Sequence, residues 1–180
     1  MTGGNRKGRK VEDSMKPRFL LLIVVAVVFT LGVALAANAA PSKSRAAAER
    51  FAAELSKRSP EHDGVPTRKY EVRDLDADGR FEVLEYISAY EEAEGFLNEE
   101  LEPAFDWVDI YRERNGRFVK ATGAFPSFLK GCKVFYESWL KAFENPSSLS
   151  SDSQGLIKAN IREFQETLRG YIRRIEALLK

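Results

Sequence analysis

The segment Asp74-Leu75-Asp76-Ala77-Asp78-Gly79 constrains this chain more than any other. Three carboxylates at alternate positions repel one another, by on the order of 1 kcal/mol per pair at about 4 Å even in water. They converge on one point only if the backbone curls tightly, and Gly79 supplies the left-handed freedom that a tight curl needs. On either side the apolar residues alternate with polar ones, as Tyr70, Val72 and Leu75 before the segment and along Phe81–Ile87 after it. That pattern predicts β-strands, with Asp74–Arg80 as their connection. A fold for this chain must therefore carry an acidic turn between two strands.

Hard oxygen donors in this number suit Ca²⁺, which takes roughly six to eight of them. The spacing fits D-x-D-x-D-G-x₅-E, an EF-hand-like loop. Asp74, Asp76 and Asp78 would be its side-chain ligands, the Arg80 carbonyl the next, and Glu85 the closing bidentate group. Two features depart from an ordinary EF-hand: Phe81 stands at the eighth position, and the flanks read as strands, not helices. In a strand setting Glu82 becomes the more natural last ligand, so Glu82 and Glu85 both stay in the candidate set. Without a metal the same residues would form a solvated acidic turn.

Val72–Tyr86 resembles the calcium-loop segment of FG-GAP/VCBS-type repeats, the blades of integrin-like propellers. Ile110-Tyr111 with Asn115-Gly116-Arg117-Phe118-Val119 is similar to the closing hairpin of such a unit. The resemblance covers about residues 70–122, in a single copy. It implies Ca²⁺ held by Asp74, Asp76, Asp78 and Glu82, and no propeller, which needs several blades.

Further along, Trp107–Tyr111 and Arg117–Ala121 flank Asn115-Gly116, a strong hairpin signal. Together these segments predict an antiparallel meander of three to four strands. Ser88–Asp106, with six glutamates, is expected as an acidic excursion with one helical turn. Two helices close the chain. Phe128, Cys132, Phe135, Trp139 and Phe143 trace one face after Pro126. Ile157, Ile161, Phe164, Leu168, Tyr171, Ile175 and Leu178 form a heptad seam in a helix from about Gln154 to Lys180, with Asp152 or Ser153 as its N-cap. Before the strands, Ser42–Ser59 is Ala-rich with a thin apolar face, a surface helix, and Ser59–Pro66 reads as loop. The expected class is α+β: an N-terminal surface helix, a small meander and two C-terminal packing helices. The expected segments are 1–39 (leader), 40–66 (helix and linker), 67–124 (meander) and 125–180 (helical hairpin), with 67–180 as one domain.

Phe19–Ala37 is nineteen residues without a charge, preceded by Lys16 and Arg18, and its end with the next two residues gives the small-residue exit Ala37-Asn38-Ala39. This layout suits a secretory signal cleaved after Ala39. The run is also long enough for an uncleaved anchor. Either way the remainder would be exported, to the periplasm or beyond, and a membrane is a partner only in the anchored form. Met15-Lys16-Pro17-Arg18 has the form of a signal's own beginning, which makes Met15 a candidate initiation site.

The formal charge of +1 conceals an uneven distribution. Six bases and two acids in residues 1–39 leave 22 bases and 25 acids, a net of −3. Residues 61–113 carry −12 and residues 114–180 carry +6. Such a balance does not suit a nucleic-acid binder. One His and one Cys exclude a zinc cluster or a disulfide framework. Cys132 reads as a small buried hydrophobe, with intermolecular pairing or a Cys132/His62 nucleophile pair as the sharper readings. The expected role is an exported, non-enzymatic structural or interaction protein with a Ca²⁺ loop. A hydrolase or accessory subunit using acids of Ser88–Asp106 is the alternative, and so is an oligomerisation protein pairing through the 157–178 seam.

Overall fold

The computed structural model describes residues 42–91 and 97–180. The leader, Glu92 and Glu94 lie outside them, so the export readings and part of the acidic run do too. The first described element is helix α1 (Lys43–Ser56), whose N-cap Ser42 accepts from the Arg45 N–H at 3.2 Å. One side of α1 is exposed, whereas Ala48 is fully buried and Phe51 is partly covered, stacking on Phe118 at 4.6 Å. Two very short strands, β1 (Glu61–His62) and β2 (Val65–Pro66), pair in the segment expected to be loop. Asp63 and Gly64 take positive φ between them, which is what lets two residues reverse the chain.

Four strands then form the expected antiparallel meander: β3 (Lys69–Arg73), β4 (Glu82–Ser88), β5 (Asp106–Arg114) and β6 (Arg117–Lys120), in sequential order. Asn115 and Gly116 close the β5–β6 hairpin, both with positive φ, as a tight primed turn requires. Register sets the two faces. Tyr70 lies opposite Glu85 and Val83 opposite Tyr111, and these share the face touched by Phe51 of α1. Leu84 lies opposite Ile110 and Tyr86 opposite Val108 on the other face. There Leu84, Val108 and Ile110 pack on Phe125.

Helices α2 (Pro126–Glu144) and α3 (Ser151–Leu178) build the larger core. The buried stripe of α2 is Leu129, Tyr136 and Phe143, spaced by seven. Phe143 belongs to the expected face, and Cys132 and Trp139 pack against the same core. Leu129 and Tyr136 lie one residue round from the expected Phe128 and Phe135, and Phe135 stays 38% exposed. Two adjacent apolar stripes run along this helix, and Tyr136 settles which is inward by donating to the Asp106 carbonyl at 2.6 Å. On α3, Ile157, Phe164, Leu168 and Ile175 of the heptad seam are buried against the chain's own core. Its N-cap is Ser150, not Asp152 or Ser153, and the backbone leaves helical values at Asn160. The Asn160 amide donates to the Leu156 carbonyl at 3.0 Å, a local competitor of the helix ladder.

The end of the acidic excursion enters this core. Leu101, Ala104 and Phe105 are fully buried, and Phe105 meets Phe164 at 4.7 Å. Glu100 accepts from the Ser150 N–H and from the Ser150 and Ser153 hydroxyls, so it caps α3. Those hydroxyls hold its carboxyl below the usual range. Among the described residues, Glu91 and Glu102 also have cationic partners, Arg68 and Lys69.

Candidate functional site

The loop between β3 and β4 folds as its residues demand. Ala77 and Gly79 both adopt positive φ, 57° and 80°. Glycine takes that conformation freely, whereas Ala77 bears a cost that the rest of the loop must offset. The offset is local hydrogen bonding. Asp74 accepts from the Asp78 and Gly79 N–H groups at 3.1 and 3.0 Å, and Asp78 accepts from the Arg80 N–H at 2.8 Å. One carboxylate oxygen each from Asp74, Asp76 and Asp78 falls within 4.8 Å of the other two.

Under the loop lies Glu82, fully buried at the start of β4. It accepts from the Leu75 N–H at 3.1 Å and from Arg112 Nε at 2.9 Å. The Arg112 guanidinium also donates to Asp76 and, at 3.3 Å, to Asp78. Its other side lies 4.8 Å from the Phe125 ring centroid. Burial works against the Arg112 charge, but Glu82 and Asp76 outweigh it and leave the pKa raised. One guanidinium thus serves three of the four carboxylates at this end of the sheet.

Glu85 is placed elsewhere. Residues three apart on a strand point to opposite faces, so Glu82 and Glu85 cannot both serve one loop. Only 4% exposed, Glu85 accepts from Arg68 at 3.1 Å, Tyr70 at 3.2 Å and Tyr111 at 2.7 Å. Arg68 continues to Glu91 through two further bonds of 3.1 and 3.0 Å. Glu91 above all raises the Arg68 pKa, and Arg68 in turn lowers that of Glu91. Burial first, then Glu85, pushes the Tyr111 hydroxyl up. Every strong acceptor of this network is in use, so it fastens β3, β4 and β5 beneath α1 and leaves no ligand to spare.

Of the sequence-derived set, Asp74, Asp76 and Asp78 come together, and Glu82 connects to Asp76 and Asp78 through Arg112. The Arg80 N–H takes part in the turn, and Glu85 joins the second network. The residue that sequence reasoning missed is Arg112. A signal was present: Val108, Ile110 and Arg112 share one face by alternation, and a cation in an apolar register implies a buried acid opposite. Three carboxylates within reach of one point, Asp74, Asp76 and Asp78, are a group that could hold a hard cation, and Glu82 beneath them is engaged by Leu75 and Arg112.

The remaining candidates are quieter. Burial pushes the Cys132 thiol up to about 11, which leaves it protonated at neutral pH and packed beside the α2–α3 core. His62 stands on β1 beside Asp63, half exposed. No helix among the described residues is long and apolar enough to cross a membrane. In comparisons with known proteins, no family model, no curated protein and no solved structure matches the chain.

Proposed function

We propose that this is an exported, non-enzymatic domain whose aspartate loop binds Ca²⁺, which staples the β3–β4 connection. One observation carries the reading: carboxylate oxygens of Asp74, Asp76 and Asp78 lie within 4.8 Å of one another on a turn held by two left-handed residues. An array of that density carries a Coulomb cost that one guanidinium offsets in part and a dication would offset further. The loop would then work as the resemblance to FG-GAP/VCBS-type repeats implies, with Glu82 as its inner acid. Outside the cytosol free Ca²⁺ is abundant, and a structural site of millimolar class would stay filled. The apolar run at 19–37 and its small-residue exit support export. Calorimetric titration of the domain with CaCl₂, paired with melting curves, tests the proposal. Saturable heat and a rise in Tm are expected, and neither appearing at about 10 mM Ca²⁺, roughly tenfold above the weakest extracellular affinities, refutes it.

A second reading has its own observation, the bonds from Arg112 to Asp76, Asp78 and Glu82. On this view the guanidinium is the permanent counter-ion, and the loop is an arginine-clamped turn with no metal. The same titration separates the two.

A further inference from the structure

A recess of about 360 Å³ opens where β5, β6 and α3 meet, away from the aspartate loop. Arg114, Lys120 and Arg174 line it, one from each element, over the buried carboxylate of Asp109. Asp109 is already satisfied. It accepts from Trp107 Nε1 at 2.9 Å and pairs with Lys120 at 2.6 Å, while Arg174 approaches at 3.5 Å.

The donors are not. The Arg174 guanidinium lies 3.8 Å from the Trp107 ring centroid, which fixes its plane, and spends a single long contact on Asp109. The Arg114 side chain has no hydrogen-bond or ion-pair partner among the described residues, its backbone pairing with Arg117 in the β5–β6 hairpin. A guanidinium carries five N–H donors in a fixed fork suited to an oxyanion. Three cations against one carboxylate leave the recess with two formal positive charges in excess. A monocarboxylate would cancel half of that excess, and a phosphate dianion all of it.

We infer that this recess binds a phosphate group, with Arg174 and Arg114 as its bidentate donors and Lys120 as the third cation. Trp107 and Asp109 act as positioning residues, holding Arg174 and Lys120 by stacking and by charge. The Thr122–Ala124 turn forms the adjoining wall.

The experiment follows amide and indole resonances of the isotope-labelled domain during titration with inorganic phosphate at constant ionic strength, against chloride. Saturable shifts at Gly123, Ala124 and the Trp107 indole are expected, with affinity falling at least tenfold in Arg174→Gln. Arg114→Gln removes a side chain without hydrogen-bond or ion-pair partners among the described residues, so its fold should be kept and its own loss of affinity, about threefold or more, is the cleaner reading. A second arm sediments the domain with phosphatidylcholine vesicles containing phosphatidic acid. Binding there that Arg114→Gln abolishes supports the site with a lipid headgroup as source, and binding of inorganic phosphate alone supports a soluble one. Linear shifts shared with chloride, unchanged affinity in both variants, or no binding in either arm overturns the inference.

Discussion

Strand β4 carries two acidic sites three residues apart, and they have opposite characters. On one face Asp76, Asp78 and Glu82 share the Arg112 guanidinium while Asp74 accepts from backbone N–H groups of the loop, and Asp76 and Asp78 are 42% and 39% exposed. On the other face Glu85 and Glu91 share Arg68 and draw further bonds from the Thr67, Tyr70 and Tyr111 hydroxyls, mostly out of solvent. The first site keeps three carboxylates in formal excess, the second only one. A closed network with its acceptors filled is architecture. An open one with surplus charge has capacity for a cation.

The largest expected effect breaks the closed site. Glu85→Ala leaves the Tyr111 hydroxyl without its acceptor, Tyr70 with the 3.4 Å bond to the Leu55 carbonyl, and Arg68 with Glu91. Removing one member of such a buried pair costs about 3–5 kcal/mol, read as a lower midpoint in urea denaturation. Ca²⁺ affinity should not change, because Glu85 faces away from the loop. A variant that keeps its stability, or loses Ca²⁺ binding, would erase the distinction between the two sites.

Arg112→Gln comes next and tests the open site. Without Ca²⁺ the buried Glu82 keeps only the Leu75 N–H, a loss of about 2–3 kcal/mol for an under-satisfied charge. Added Ca²⁺ should restore at least half of that loss, since the metal supplies the missing positive charge. If 10 mM Ca²⁺, a concentration of roughly millimolar-site occupancy, restores nothing, the arginine-clamped turn is the right description.

Asp106 offers a third environment, a half-buried carboxylate without a hydrogen-bond donor among the described residues. Burial raises its pKa to about 6; Lys69 opposes that rise and Glu102 adds to it. The folded protein thus holds this proton more tightly than the unfolded chain does. Its contribution is fully present below about pH 4 and is lost as pH rises through about 6. Glu91, Glu100 and Asp109 have lowered pKa values and run the other way, losing their contribution as the medium becomes acidic. The difference between parent and Asp106→Asn isolates the first effect. Between pH 4 and 7 the parent should lose about 1–2 kcal/mol relative to the variant, after allowance for solvent screening. Parallel pH profiles would remove Asp106 from the account.

What was legible in the sequence was local. The Asn115-Gly116 turn, the alternation on both sides of it and the aspartate loop each depend on neighbours within a few residues. The heptad seam of α3 was legible for the same reason. Long-range pairing was not. Arg112 meets Glu82 across thirty positions, and only its place in an apolar register hinted at a partner. Leu101 and Phe105 were hidden among glutamates, because composition records how many acids a segment has and not which way its apolar residues turn. On α2 two apolar stripes compete, and the choice between them rests on a tyrosine hydroxyl reaching a carbonyl thirty residues away. Glu82 and Glu85 were separable in principle, since strand parity alone divides them.

The smallest stability effect sharpens the comparison most. Asp76→Asn and Asp78→Asn each remove one charge from the exposed rim of the loop, where Arg112 is the only cation bonded to them among the described residues. The lost ion pair and the relieved repulsion among Asp74, Asp76 and Asp78 nearly cancel, so stability without Ca²⁺ should move by less than about 0.5 kcal/mol in either direction. A neutral amide is a much poorer ligand for a hard dication, and Ca²⁺ affinity should fall tenfold or more in each variant. A large effect on binding with almost none on stability is the signature of an open site, and the reverse pairing is expected of Glu85. If Asp78→Asn destabilises the protein without Ca²⁺ as strongly as Arg112→Gln, the aspartates act as part of the clamp, and the contrast between the two faces of β4 collapses. Isothermal titration and urea denaturation on the same samples give both numbers.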